Sequence, residues 1–292
     1  MIPAAFEYSR ANSVDEALRL LAEHAGSAKV IAGGQSILPL LKLRVAATER
    51  LIDIGRIGEL RGVRDRGGAL SIGALTTYRE VLDSSHVRQR LPILTHAVAG
   101  IGDVQVRNRG TVGGAIAHAD PASDLPAVLI ALDAEIVLRS QDGERTVRAD
   151  QFFQGAFTTE MAENELLTEI RIPAQPAGAG WAYAKLEQPA SGYSIVGVAA
   201  VVARTPGVMG STRIDHVRVG ITGVGDVAYR ASGVERALDG TDCNASDVEA
   251  ASKHAATGQM VASDIHADRA YRTAMAAVFT RRAIEQALAR AG

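Results

Sequence analysis

Two short glycine-rich segments constrain this chain most: Ile31-Ala32-Gly33-Gly34-Gln35-Ser36 and Thr111-Val112-Gly113-Gly114-Ala115. Glycine lets a backbone approach an anion closely and adopt conformations that other residues avoid. Successive N–H groups in such turns form anion-binding concavities, and the hydroxyls of Ser36 and Thr111 add donors. The segments lie about eighty residues apart. That pairing suits a ligand with an extended diphosphate, and it equally suits two ordinary tight turns. Neither common nucleotide motif is present: there is no G-x-G-x-x-G opening a helix with an acid about 20 residues on, and no P-loop. Gly220-Ile221-Thr222-Gly223-Val224-Gly225-Asp226 imitates the first, but its third glycine is wrongly spaced, and it reads as a strand end.

Around these segments the pattern is mixed α and β. Ser13-Val14-Asp15-Glu16 reads as a capping box, and Val14, Ala17, Leu18 and Leu21 give one helical face. Lys29-Val30-Ile31 and Leu51-Ile52-Asp53-Ile54 read as strands. Arg61 to Thr76 is hairpin-like around Gly67-Gly68. Thr77 to Leu82, Pro92 to Gly100 and Leu125 to Leu132 read as helices. Glu135 to Leu138 is a strand, and Asp142-Gly143 signals a hairpin turn. Ile170 to Ile172 ends a strand before the Ala-, Gly- and Pro-rich stretch from Ala174 to Gly180, which reads as a linker. Trp181 to Lys185, Ile195 to Val202 and His216 to Thr222 read as further strands. The chain turns helical from Ser246, with Tyr271, Met275, Val278 and Phe279 at helical spacing. The expected domains are residues 1–176, with lobes at about 1–56 and 57–176, and residues 177–292.

Several function classes are disfavoured. Charges nearly cancel, 31 Lys plus Arg against 33 Asp plus Glu, so no basic footprint for nucleic acid is visible. The start lacks a charged segment followed by an apolar one, and the longest apolar run, Ile195 to Ala203, is far short of the ~20 residues that span a bilayer. A cytoplasmic protein with no integral membrane segment is expected. The single cysteine, Cys243, cannot form an internal disulfide or supply the thiolates of an iron–sulfur cluster; it sits in a turn-like stretch and reads as structural or incidental. His118, Asp120 and Asp124 lack the partners that would complete a recognised metal site. No G-x-S-x-G elbow is present. Ser123 and Asp124 precede an apolar helix, which suits capping; alternatively Asp124 accepts a ligand hydroxyl.

At these residues the chain resembles the FAD-binding medium subunits of aerobic carbon monoxide dehydrogenases and related molybdenum hydroxylases. The matching stretches are Ala32-Gly33-Gly34-Gln35-Ser36 with Ile37 to Arg44, Ile72-Gly73-Ala74 with Thr76-Thr77, and Gln105 to Gly114. Ser123-Asp124-Leu125-Pro126, Glu165-Leu166-Leu167 and Ser263-Asp264-Ile265-His266 also match. The match runs through essentially the whole chain in order. It implies an α+β fold: a two-lobed α/β FAD-binding domain of the PCMH type, followed by a smaller α+β domain with an antiparallel sheet and helices. It also implies that Lys29, Val30, Ile31, Ala32, Gly33, Gly34, Gln35 and Ser36 line FAD with Thr111, Val112, Gly113, Gly114 and Ala115. Ser123, Asp124, Leu167 and Lys185 would be further contacts, and Tyr193 would stand near the isoalloxazine. From the residues alone, Tyr193 is also an ordinary turn tyrosine and Lys185 also a solvated strand residue. Gln35 stands where some members carry His, compatible with relatives acting on N-heterocycles. Ala115 stands where many carry Asn, removing a hydrogen bond of order 1 kcal/mol.

The resemblance further implies a large partner with a molybdenum cofactor and a small partner with two [2Fe-2S] clusters, in a dimer of heterotrimers. This chain would then act as an FAD-dependent oxidoreductase subunit that transfers electrons to an external acceptor such as a quinone, dioxygen or NAD. A self-sufficient FAD-dependent oxidoreductase and a non-catalytic nucleotide-binding module are the alternatives; turnover without partners would mark the first, and failure to bind flavin the second.

Overall fold

The computed structural model describes residues 2–206 and 212–292. The opening residues build a parallel sheet from β1 (Glu7–Arg10), β2 (Ala28–Ile31) and β3 (Arg50–Asp53), in the order β1-β3-β2. Parallel neighbours need crossovers, supplied by α1 (Val14–Glu23) and α2 (Ile37–Leu43). Helix α1 buries Val14, Ala17, Leu18 and Leu21, the face its spacing predicts. Ser13 caps it by accepting from the Glu16 N–H at 3.1 Å. The reciprocal half of the expected box is shifted by one residue: Glu16 Oε2 accepts from the Asn12 N–H at 2.8 Å. Strand β1 is not visible in the sequence, because Glu-Tyr-Ser-Arg has no apolar alternation and three of its four residues are exposed.

The second sheet is antiparallel and ordered β4-β5-β10-β6-β7. Its strands are β4 (Val63–Arg66), β5 (Ala69–Gly73), β6 (Glu135–Ser140), β7 (Gly143–Arg148) and β10 (Leu166–Ile172); a small pair, β8 (Phe153–Gly155) and β9 (Thr158–Thr159), stands beside it. Gly67 and Gly68, both at positive φ, turn the β4–β5 hairpin as the paired glycines predict. Between β5 and β6 run α3 (Tyr78–Asp83), α4 (Ser85–Arg90), α5 (Pro92–Ala99), α6 (Val104–Arg109), α7 (Val112–His118) and α8 (Asp124–Ala131); α9 (Ala149–Phe152) follows β7.

The third sheet, β11 (Gly180–Glu187), β12 (Ser194–Pro206), β13 (Thr212–Thr222) and β14 (Tyr229–Arg230), is antiparallel in sequence order. Helices α10 (Ser232–Leu238), α11 (Ala245–Ser252) and α12 (Arg269–Leu288) accompany it. Helix α12 packs on β11 and β12 and buries Ala276, Phe279, Ala283, Ile284, Ala287 and Leu288. Tyr271, placed by spacing on the apolar face, is instead 45% exposed, because the buried stripe starts one residue later, at Arg272.

Every residue of α8 is buried. A helix apolar all round belongs in a core, and α8 lies with α5 and α7 against it and β12 and β13 across it. A Cβ on Gly220 of β13 would lie 2.0 Å from the Ala127 carbonyl oxygen, so only glycine lets strand and helix meet there. One core accordingly gathers Leu70, Ile72, Leu125 and Val128 together with Tyr183, Ala199 and Val201 of the third sheet. Among the described residues no helix is long and apolar enough to cross a membrane.

Asp133, just beyond α8, also joins the two parts. It accepts from Arg218 Nε at 2.7 Å and from Arg230 Nη1 at 2.6 Å, and Arg230 Nε donates to Glu235 at 2.9 Å. Burial raises the Asp133 carboxyl, but the two arginines outweigh it and hold it below the ordinary value. A depressed carboxylate stabilises fully above its unfolded pKa, about 3.9 for Asp, and loses that contribution as pH falls towards the folded value. Asp133→Asn tolerates the positive φ of this position. It should cost roughly 1–2 kcal/mol at pH 7, the scale of charge-assisted hydrogen bonds. The gap between denaturant melts of the two proteins should narrow as pH falls from about 3.9 towards the depressed folded value of Asp133; an equal gap at every pH would refute the ion-pair account.

Candidate functional site

The fold sets the first glycine segment against Arg109 and Gly110, the two residues that lead into the second. The first follows β2, an edge strand that carries Lys29, Val30 and Ile31. Ala32 and Gly33 lead to Gly34, at φ +78°, and α2 starts after Ser36. A Cβ on Gly33 would lie 2.1 Å from the Arg109 carbonyl oxygen and 3.2 Å from the Gly110 Cα. The absence of a side chain is therefore what allows this contact. Among the described residues, the N–H groups of Gly33, Gly34, Gln35 and Ser36 donate to no acceptor within the chain. Four consecutive uncommitted amides, on a partly exposed turn, form a ready anion cradle.

The second segment differs from its expectation. Thr111 is the N-cap of α7, and Val112, Gly113, Gly114 and Ala115 form its first turn instead of an open loop. Its amides are spent inside the chain. Val112 donates to the Thr76 carbonyl at 3.0 Å, Gly113 to that of Ala74 at 2.9 Å and Ala115 to that of Thr111 at 3.1 Å. Gly114 donates to Thr111 Oγ1 at 3.2 Å. Gly113 is required by packing, since its Cβ would lie 2.5 Å from that of Ala74. The first segment thus offers free donors, while the second presents a close, side-chain-free surface with Gly114 and Ala115 partly exposed.

A third wall comes from α8 and the third sheet. Ser123 precedes α8, but its side chain makes no capping bond, so the capping expectation for this pair fails. Asp124 is buried and its carboxylate has three partners. Oδ1 accepts from Tyr183 Oη and from Ser194 Oγ, the latter at 2.7 Å. Oδ2 pairs with Lys185 Nζ at 2.9 Å. Lys185 is not a solvated strand residue: its side chain is 12% exposed. Residues 183 and 185 alternate along β11, so both face the same way, and neither Tyr183 nor Ser194 was picked out from the sequence. The signal available was the i, i+2 spacing of Tyr183 with Lys185 and the adjacency of Ser194 to Tyr193. Burial, and then Asp124, push the Tyr183 phenol far up, so it remains a donor.

Tyr193 stands on the turn between β11 and β12, half exposed. Gly192, at φ +70°, makes that turn, and the Gln188 N–H closes it on the Tyr193 carbonyl at 2.8 Å. Tyr78, which was also missed, packs beside the residue that leads into the second glycine segment, its N–H donating to the Gly110 carbonyl at 3.0 Å. A Cβ on Gly110 would lie 2.7 Å from the Tyr78 ring, while burial, Tyr193 and Asp124 together raise the Tyr78 phenol. Leu167 lies behind the second segment with its side chain in the core. The neighbouring Thr168 carbonyl accepts from the Ala74 N–H at 2.9 Å, which leaves the main chain as what this position can offer a ligand. Cys243 is buried, and burial outweighs the opposing charge of Arg204 and raises its thiol to about 11, which makes it a poor nucleophile. Among the described residues, no group of three His, Cys, Asp or Glu side chains is placed to hold a metal ion.

A family model described as the FAD binding domain in molybdopterin dehydrogenase matches residues 4–175, and one described as the CO dehydrogenase flavoprotein C-terminal domain matches residues 181–287. The chain belongs to this family of FAD-binding medium subunits. It is 44% identical to the carbon monoxide dehydrogenase medium chain of Hydrogenophaga pseudoflava, over 99% of each chain. It is 38% identical to the glyceraldehyde dehydrogenase medium chain of Sulfolobus acidocaldarius, over 98% of this chain and 99% of that one. A solved structure of carbon monoxide dehydrogenase from H. pseudoflava superposes with a TM-score of 0.96 at 44% identity, covering all of both chains. The chain is therefore an FAD-binding subunit of the oxidoreductase type, and its mixed fold with an antiparallel C-terminal sheet is the expected one.

Proposed function

We propose that this medium subunit is the flavin relay of a heteromeric molybdenum-containing dehydrogenase. It would stand between the [2Fe-2S] clusters of a small partner and an external acceptor, with substrate oxidised at a molybdenum cofactor in a large partner. A dimer of heterotrimers and a cytoplasmic location belong to the same reading, as does a division of the chain at about residue 176. The observation that carries it is the run of uncommitted amides from Gly33 to Ser36, set against a second glycine surface that a Cβ would fill.

Bound FAD supplies exchange between one-electron and two-electron carriers. The residues of this chain do the rest. Gly33 to Ser36 would bind the diphosphate through N–H groups that need no reorganisation. Thr111 keeps its hydroxyl proton available, because its oxygen serves as cap acceptor, while Gly114 and Ala115 allow close approach. Asp124 would take a cofactor hydroxyl, held in one orientation by Tyr183, Ser194 and Lys185. Lys185 Nζ, 2.9 Å from Oδ2, supplies the opposite charge that a buried carboxylate requires. Tyr193 would cover the isoalloxazine and limit its contact with water. The medium chains to which it is similar carry the names of carbon monoxide and glyceraldehyde dehydrogenases, which supports a substrate choice made outside this chain.

Absorption spectra of the full-length chain and of the co-expressed assembly, before and after FAD addition and desalting, test this. Retained bands near ~450 nm, with FAD released on denaturation, are expected in the assembly at least. A colourless assembly would sink the proposal, and substrate turnover by the isolated chain would favour a self-sufficient enzyme.

A further inference from the structure

Asp264 and His266, in the segment Ser263-Asp264-Ile265-His266, line a cavity together with Tyr193, Ser194 and Arg272, and one arginine ties them to the Tyr193 turn. Arg272 lies in the first turn of α12 and is 4% exposed. Its Nη1 donates to the Ile195 carbonyl at 2.7 Å and to the Gly223 carbonyl, and its Nη2 donates to Asp264 Oδ2 at 2.6 Å. Asp264 is itself held, since its Oδ1 accepts from the N–H groups of His266 and Ala267 at 2.9 and 3.0 Å. Asp268 caps α12 by accepting from the Tyr271 N–H at 2.7 Å. A buried guanidinium is costly unless it is paired and hydrogen-bonded; Nη1 and Nη2 are so held, while the buried Nε has no partner among the described residues.

The two carbonyls it binds lie at a crossing of three chain segments. Ile195 follows Tyr193 and Ser194, and the Ser194 N–H donates to the Ala122 carbonyl at 3.2 Å. The Gly223 N–H donates to the Pro121 carbonyl at 2.9 Å. Thr222 Oγ1 donates to the carbonyls of Pro121 and Ser123 at 2.8 and 2.9 Å. Gly223 adopts φ +80°, and a Cβ there would lie 2.7 Å from the carbonyl oxygens of both Ser194 and Ile195. The residues leading into Asp124, the turn bearing Tyr193 and the end of β13 therefore meet where Arg272 binds.

We infer that Arg272 is a positioning residue for the flavin pocket: by holding the Ile195 and Gly223 carbonyls, it fixes the Tyr193 turn against the Pro121–Asp124 segment. This rests on the flavin assignment proposed above. Its action is indirect, through main-chain carbonyls, and Asp264 sets the angle of the guanidinium.

Arg272→Met, Arg272→Lys and Asp264→Asn in the full-length chain with its partners co-expressed test this, using FAD titration, the emission of bound flavin and thermal melting. Arg272→Met should weaken FAD binding about tenfold or more and brighten the flavin still bound, since an aromatic ring held beside an isoalloxazine quenches it. Lys keeps a donor for the carbonyls but lacks the fork that also reaches Asp264, so Arg272→Lys should recover part of the loss, and Asp264→Asn should fall between. A purely structural role would lower the melting temperature without changing affinity or emission in the folded fraction. Arg272→Met that folds and binds FAD within about twofold of the parent, with unchanged emission, overturns the inference. Should Arg272→Met not fold, parent-like affinity and emission in both other variants overturns it equally. A parent assembly that binds no FAD would instead strike the flavin assignment itself.

Discussion

Gly33→Ala should lose flavin retention and unfold several degrees earlier than the parent. The added Cβ would stand 2.1 Å from the Arg109 carbonyl oxygen and 2.9 Å from its carbon. Both are main-chain atoms at the end of α6, so no side-chain rotation relieves the clash. Forcing a methyl into a packed contact costs typically 1–3 kcal/mol, and about 3 kcal/mol corresponds to more than a hundredfold in a binding constant. The cost should fall on binding as well as folding, because the turn that must move carries the free amides of Gly34, Gln35 and Ser36. Gly58→Ala is the matched control: no atom lies within 4 Å of its Cβ position and its φ is not positive. Thermal melting and FAD titration of the two variants separate a steric effect from a general glycine effect. Equal behaviour would mean that Gly33 does not pack on Arg109 and Gly110.

Asp124→Ala should be the most destabilising single change at the site. It strands three donors at once, and Lys185 loses its partner where its side chain is only 12% exposed. Removing one member of a buried ion pair costs about 3–5 kcal/mol. Asp124→Asn should cost about half as much, since an amide oxygen still accepts from Tyr183 and Ser194 while the charge opposite Lys185 is gone. Denaturant unfolding measures both, and flavin titration should show weakened binding in each. An Asp124→Ala protein within about 0.5 kcal/mol of the parent, the range of ordinary surface substitutions, would show that the network does not hold the site together.

What the sequence disclosed follows from how local each cause is. The first glycine turn was legible because a positive φ and a run of free amides are properties of neighbouring residues. The second was misread as a loop because the need for Gly113 comes from Ala74, nearly forty residues earlier in the chain. Asp124 was recognised as a candidate, but its partners lie 59, 61 and 70 residues away, beyond any periodicity argument. Most strands and long helices were found because their apolar patterns repeat within a few residues. Strand β1 escaped as a mostly exposed edge, and α7 escaped because two glycines in a first turn resemble a loop until Thr111 is seen to cap it. The family resemblance supplied positions such as Lys185 and Leu167 that no local rule would have chosen, and the fold places them differently: Lys185 pairs with Asp124, while the Leu167 side chain lies in the core.

The enclosure of α8 sets a limit on how such chains can recombine. The helix that starts at Asp124 in the first half is closed on its far side by β12 and β13 of the second, with Gly220 against Ala127. A hybrid gene joined in the Pro- and Gly-rich stretch after Ile172 would pair one parent's α8 with the other's sheet. Unless the helix and the sheet had diverged together, the mismatch would open a gap or a clash in the shared core, at one end of which lies the Asp124 network. Exchange of the C-terminal half between distant relatives should therefore be rare as an evolutionary event and difficult as an engineering one.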